Sequence, residues 1–332
     1  MIKTLTKHAV GRRTIPILGQ VRVKGGVMQT TDMDFWISGP CPLADGMYHS
    51  HGFDKGIQIK SELPVTDFPE PNKNNKKYDK AALVIDRAAA DTLAWVLKAA
   101  SKEAARYYLN GVFFDWTEEQ AVIVATDGHR LHSFTHAIDA PRPKKARKKQ
   151  ADGKYKMVAP SAGAIMPTRG VKIILDLMKE TGAGRVDIEF EGLLFTARIG
   201  DALVQGKLID GTFPAWRQVV PNCPPGNTTL YNPEEIKALV PELSIINKIG
   251  ANARTLGVAI KAGKARNTEV ISGVKREWPV STQLPFEAGF NSKYLMDLCG
   301  GVLHYIDHTS PFKVVDRRGG IERMGVIMPM RV

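Results

Sequence analysis

Two short phrases each occur twice along this chain, in the same order, and that recurrence limits the folds open to it. "MQTTDMDFWIS" (28–38) and "VIVATDGHRLHS" (122–133) both end a strand-like run in Thr-Asp, then return to alternating polar and apolar residues. Downstream of each, "SELPVTDFPE" (61–70) and "GKLIDGTFPA" (206–215) carry a leucine five residues before Phe-Pro. Ordered markers of this kind describe duplicated units. The copies are unequal: Asp127 to Phe213 is 86 positions, whereas Asp32 to Phe68 is 36. The first copy is therefore expected to be truncated.

Part of the surplus in the second copy is the basic stretch "APRPKKARKKQADGK" (140–154), expected as a structureless loop because of its charge, Pro141, Pro143 and Gly153. The remainder includes a helix over 170–182, with Val171, Ile174, Leu175 and Met178 on one face and Gly182 as its stop. Two strand-like runs, "RVDIEFEG" and "LLFTARIG", follow. Further helices are expected over 86–103 from an Asp86 cap, 232–243 from Asn232 with Pro233 at the first turn, and 291–301 from Asn291. Short alternating strands lie between them. The fold class is α+β, with helices packed against antiparallel sheets.

The chain has 332 residues, enough for two or three domains. Its 46 Lys+Arg against 34 Asp+Glu leave a net charge of +12, which favours a polyanionic partner, either nucleic acid or an anionic membrane surface. No run approaches the ~20 apolar residues of a membrane span, so no membrane partner is expected. The start lacks the apolar centre of a signal peptide, and Cys41, Cys223 and Cys299 form neither CxxC spacing nor an even framework. These features predict a reduced, cytoplasmic protein.

"ATDGHRLHSF" (125–134) crowds Asp127, His129, Arg130 and His132 together, and such groups serve both metals and nucleophiles. His132 and His136 have ligand spacing for a helix. The local period is two, however, so His129, Leu131 and Ser133 share one face and Arg130, His132 and Phe134 the other. That separates the ligands, and ordinary strand histidines are the simpler reading. No GxSxG elbow and no phosphate-cradling glycine loop occurs. Neither a metal, a cofactor nor an enzymatic activity is expected.

Other stretches suit binding. Arg142, Lys144, Lys145, Arg147, Lys148 and Lys149 form the densest charge in the chain, read either as a solvated loop or as contacts to phosphates. In "KEAARYYLNG" (102–111), Lys102 and Arg106 stand beside Tyr107 and Tyr108, a pairing that meets phosphate and sugar or base faces. The ending "MGVIMPMRV" interrupts a strand at Pro329 and sets Met328 and Met330 around it, an adaptable apolar wall.

Taken in order, "RTIPILG" (13–19), "RYYLNGVFF" (106–114), "VATDGHRL" (124–131), "LIDGTFPAWRQVVP" (208–221), "GFNSKYLMDL" (289–298) and the final "VIMPMRV" resemble the bacterial DNA polymerase III beta subunit family, the beta sliding clamps. The resemblance implies tandem DNA-clamp domains at 1–78, 79–221 (with the basic loop) and 222–332, the first of them truncated. It implies a non-enzymatic processivity factor in DNA replication, holding double-stranded DNA without sequence preference and tethering DNA polymerase and other clamp-binding-motif proteins. A clamp loader and a head-to-tail pairing of two chains belong to the same expectation.

By the same resemblance, Leu109, Thr126, Gly128, His129, Arg130 and Leu131 form one wall of a partner-peptide cleft between the second and third domains. Pro214, Val219, Asn291 and Tyr294 match it as well. Val326, Met328, Pro329, Met330 and Arg331 close it. Arg12, Lys102, Arg106, Tyr107, Tyr108 and Arg169 match DNA-facing positions. The chain departs from the family in its short first copy, its extra basic loop, Gln218 where a cation precedes "VVP", and Val332 at the end. The short first copy predicts that the two-chain ring is weakened or lost. The rival reading is a clamp-fold DNA-binding or partner-sequestering protein that no longer closes a ring.

Overall fold

The computed structural model describes residues 2–9, 15–72, 80–116, 120–137, 146–149, 155–158, 163–239, 257–268 and 275–331. They belong to two compact units, each assembled from separated segments: Met1–Ala94, Asn110–Val122 and His136–Gly211 in the first, Trp95–Leu109, Ile123–Thr135 and Thr212–Val332 in the second. The expected α+β class with antiparallel sheets is what the chain forms.

The first unit is built on a nine-stranded sheet. Its order is Lys60–Ser61, Gly46–His49, Gln20–Lys24, Val27–Thr31, Phe35–Pro40, Ala202–Lys207, Leu194–Ile199, Arg185–Glu191 and Lys80–Asp86. Alternation decides which face is covered: Val186, Ile188 and Phe190 are buried while their neighbours are not. Helix Thr168–Thr181 lies against these strands and stops at Gly182, whose φ of 70° is left-handed. Its buried residues are Gly170, Val171, Ile173, Ile174, Leu177 and Met178. Leu175, expected on that face, is only half-buried, so the apolar stripe is rotated slightly from the sequence reading. Gly206 makes room at the centre: a Cβ there would stand 2.5 Å from the Phe195 ring.

Helix Ile2–Ala9 has no counterpart in the sequence reading. Its anchor comes from far along the chain. The backbone N–H groups of Lys3 and Thr4 donate to the Glu180 carboxylate at 3.0 and 2.9 Å, supplying the cap that the local sequence lacks. Lys7 pairs with Asp176 at 3.1 Å, and Leu5 is buried.

The basic stretch corrects another expectation. It is not structureless throughout: Ala146–Lys149 pairs antiparallel with Tyr155–Val158, from Ala146 opposite Val158 to Lys149 opposite Tyr155. The charge count hid a partner strand of β-forming residue types, with a hairpin-type Asp-Gly pair in the sequence between the two.

In the second unit, strand Arg130–Ala137 pairs with Ile321–Ile327, followed by Phe312–Arg318, Gly301–His304 and Thr228–Tyr231. A separate four-stranded sheet contains Lys275–Pro279, Lys264–Thr268, Gly257–Lys261 and Ala288–Asn291. The helix expected from Asn232 runs over 233–239 of the described residues, with Asn232 Oδ1 accepting from Glu234 N at 3.0 Å. The last helix is Ser292–Asp297, shorter than expected and capped by Asn291, whose Oδ1 accepts from Lys293 N. The Asp86-initiated helix is Arg87–Val96, extended by one 3-10 turn to Ala99.

One turn recurs three times. Asp32 Oδ1 accepts from the N–H groups two and three residues on, Asp34 and Phe35, at 3.1 and 2.9 Å. Asp127 does the same with His129 and Arg130 at 3.0 and 3.1 Å, and Asp307 with Thr309 and Ser310 at 2.7 and 2.8 Å. Such Asx turns reverse a strand with a side chain in place of a backbone acceptor. The Thr-Asp marker is thus a folding instruction. The preceding threonines act alike, Thr31 and Thr126 accepting from Met33 and Gly128.

Candidate functional site

The Asp127 turn forms part of a cavity of about 230 Å³ within the second unit. An apolar cavity of ~150 Å³ already holds a benzene ring, so this one takes an aromatic side chain or a pair of aliphatic ones. Thr126, Gly128, His129, Arg130 and Leu131 line it from the turn and the strand that follows. Leu109 contributes from the segment before the turn, Pro214 and Val219 from the "FPAWRQV" segment, and Val326 and Met328 from the final strand and its exit. These ten are the greater part of the predicted cleft.

Local chemistry explains the turn's shape. Gly128 has φ of 92°, where a side chain is strained, and a Cβ there would stand 2.6 Å from Arg106 Nη1. Thr126 Oγ1 also donates to Arg130 O at 2.6 Å, locking the turn from the other side. Across the sheet Leu131 pairs with Val326, which brings the last strand to the wall. Met328 N donates to His129 O at 2.9 Å, and Met330 N to Gly289 O at 2.8 Å, so two backbone bonds straddle Pro329.

Arg130 is committed to structure. Nε donates to Asp127 Oδ2 at 3.1 Å, Nη1 to Asp297 Oδ2 at 2.8 Å, and Nη2 to Lys98 O. Its guanidinium lies 4.5 Å from the centre of the Tyr294 ring. Burial alone would raise the Asp297 carboxyl, but the hydrogen bond and charge of Arg130, with Lys98, hold it below the ordinary range. Tyr294 also stacks near His129, ring centres 6.4 Å apart. Asn291 caps the helix that carries Tyr294. Asn291, Tyr294, Pro329, Met330 and Arg331 stand outside the lining; Tyr294 packs on Arg130 and His129 of the lining, and Asn291 caps its helix.

His132, on the same strand, is not part of the cavity lining. It is fully buried, its ring 4.3 Å from that of Trp95 and nearly parallel, with Nδ1 3.1 Å from Trp95 O. Burial pulls it down to about 3, with the Trp95 hydrogen bond opposing. It is a neutral core histidine. His136 Nε2 sits 2.6 Å from Val84 O. Among the described residues, no cluster of three or more His, Cys, Asp or Glu could hold a metal ion.

The residues matched to DNA divide. Arg106 and Tyr108 line the cavity. Arg106 donates through Nε and Nη2 to Glu103 at 2.8 Å each, and those hydrogen bonds and that charge hold the Glu103 carboxyl below its ordinary range. Tyr107 is exposed and packs edge-on to Tyr108, and Lys102 is exposed. Arg169 pairs with Asp32 and lies over the Phe35 ring, 5.2 Å from its centre. Arg147, Lys148 and Lys149 fall on the hairpin strand, while Arg12, Lys144 and Lys145 lie outside the described residues. The sequence reading missed Ala215 and Trp216, which also line the cavity. Their position between Pro214 and Val219 in "FPAWRQV" was the available signal.

Among the described residues no helix is long and apolar enough to cross a membrane. A family model described as the DNA polymerase III beta subunit, central domain, matches residues 87–215. The beta sliding clamp of Caulobacter vibrioides is 29% identical over 291 residues, covering 81% of this chain and 70% of the relative. That of Escherichia coli K12 is 24% identical, covering 97% of this chain and 94% of the relative. The solved sliding clamp of Bartonella birtlesii, bound to griselimycin, superposes with a TM-score of 0.72 at 25% identity, covering all of this chain and 97% of that one. With the repeated turn and antiparallel sheets already described, these likenesses show a chain similar to the beta sliding clamps along nearly its whole length, with residues 87–215 matching that family's central domain.

Proposed function

We propose that this chain, a DNA polymerase III processivity factor by family and not an enzyme, tethers partner proteins by a short apolar peptide seated in the cavity described above. The observation that carries this is the cavity itself, in which separate segments present Leu109, Leu131, Val219, Val326 and Met328 around a few fixed polar groups. Peptide recognition needs apolar room for one anchor and polar groups that orient it. Arg130 spends its charge on Asp127 and Asp297, which holds the walls in place.

We read the chain as three clamp copies, at 1–78, 79–221 and 222–332, and the Asx turn at Asp32, Asp127 and Asp307, one per copy, supports that division. Double-stranded DNA is held through phosphates by Lys102, Tyr107, Arg12, Arg169 and the hairpin carrying Arg147, Lys148 and Lys149, with no base readout. Processivity then comes from tethering rather than from affinity for any sequence. The protein works in the cytoplasm, and a clamp loader is needed where the ring is closed. The short first copy favours a second reading, a clamp-fold protein that binds DNA and partners without a closed ring.

Calorimetry with a short peptide ending in apolar residues tests the cavity. Removing Met328–Val332 deletes part of the wall and should abolish binding, because loss of an apolar anchor costs ~2 kcal/mol or more. Unchanged affinity in a truncated chain that still folds rejects the assignment.

A further inference from the structure

Two guanidinium groups face the cavity, and they are used differently. Arg130 is bound by Asp127, Asp297 and a backbone carbonyl, and its side chain is 11% exposed. Arg106 sits 34% exposed, with its two-pronged bond to Glu103, itself 58% exposed. Its remaining nitrogen, Nη1, lies over Gly128 on the turn. The lining contains two arginines and a histidine and no carboxylate. Glu103 stands just outside it, positioned by its own N–H donating to Ser101 Oγ at 3.1 Å.

We infer that Glu103 is a selectivity residue for the peptide cavity: it occupies on Arg106 the place of a partner's carboxylate, and so handicaps peptides with an acidic residue beside their apolar anchor. This rests on the cavity being a peptide site. The physical basis is exchange. Arginine presents parallel N–H donors that suit a carboxylate from any source. An exposed ion pair between residues three apart is weak enough to be displaced by an incoming one. An acidic ligand that takes the two-pronged Nε–Nη2 edge must therefore first break the internal pair, whereas a neutral ligand leaves it in place. Arg130 is less suited to the same role, since each of its three nitrogens already donates to an aspartate or a carbonyl and its side chain is 11% exposed.

The test uses the full chain and two synthetic peptides with identical apolar ends, one carrying aspartate before the anchor and the other asparagine. Affinities are read by fluorescence polarisation for the unaltered chain and for Glu103→Gln, which keeps the side chain's size and removes its charge. The aspartate-to-asparagine affinity ratio should rise about threefold in the variant, the size of one exposed ion pair, and the rise should shrink in high salt. A ratio that does not move overturns the inference. So does an equal rise when Glu103→Gln is made in an Arg106→Gln background, because the effect is then a general field and not competition for Arg106. Failure of both peptides to bind the unaltered chain overturns the cavity reading itself, a result distinct from an unchanged ratio.

Discussion

At the scale of single residues, His132 shows how burial turns an ordinary strand position into a pH-sensitive one. Its folded value is about 3, against ~6.5 in an unfolded chain. The unfolded state therefore binds the extra proton between those values, and stability present above pH ~6.5 is lost as pH falls toward 3. Thermal melts should fall steeply below pH ~6.5, and His132→Phe should flatten that slope. At neutral pH the loss of Trp95 O's partner is offset by removal of the buried, unpaired Nε2, so the same variant should change stability by less than about 1 kcal/mol. A second residue-scale case is Met33, which stands in the first Asx turn with φ of 76°, where the second turn has Gly128. Met33 is 42% exposed and so contributes little burial. Met33→Gly removes left-handed strain of ~1–2 kcal/mol and adds unfolded-state entropy of up to ~1 kcal/mol. Denaturant titration should find the variant more stable by roughly 0.5 kcal/mol.

At the scale of elements, legibility tracked how local the determinant was. Helix Thr168–Thr181 was readable because its apolar spacing and its Gly182 stop lie within its own sequence. Helix Ile2–Ala9 was not, because eight residues without a cap are too few to announce themselves. Its N–H groups are satisfied by Glu180, 176 and 177 positions away. The basic hairpin failed for a different reason: composition predicts solvation, but strand pairing depends on the partner at 155–158. Neutralising Lys144, Lys145, Arg147, Lys148 and Lys149 should lower the salt slope of duplex binding by about 0.9 for each phosphate these side chains would have neutralised. Filter binding across a salt series measures it, and an unmoved slope assigns the hairpin no DNA role.

For the whole molecule, the shortened first copy has a consequence for assembly. The segment "DGMYHSHGFDKGIQIK" supplies strand Gly46–His49 and leads into Lys60–Ser61 at one edge of the nine-stranded sheet. That edge strand is two residues long, and Ile57 and Ile59 beside it are about half exposed. A two-residue strand offers few free backbone groups to another chain. At roughly 25 cal/mol per Å², a joint smaller by a few hundred Å² of apolar burial would turn a tight dimer into a weak one. Light scattering at micromolar concentration should give the mass of one chain. A stable two-chain species retained on nicked circular DNA and released on linearisation would restore the closed ring.

The sequence alone determined what is carried by neighbours within a few residues: the strand period, the helix stop at Gly182, and the Thr-Asp turn that marks the first two copies. Those depend on backbone hydrogen bonds and φ preferences that short stretches settle by themselves. Motif resemblance located most of the cavity wall. Tertiary structure alone decided which cation is spent and which is exchangeable. Arg130 and Arg106 look equivalent in sequence, yet one meets Asp297, 167 positions away, and the other meets Glu103 three residues before it. It likewise sent His132 into the core against Trp95, 37 positions away, and left His129 at the surface. Desolvation and long-range charge pairing are properties of what surrounds a group in space, and in strand Arg130–Ala137, where both Leu131 and His132 are buried, alternation does not separate a covered face from an open one.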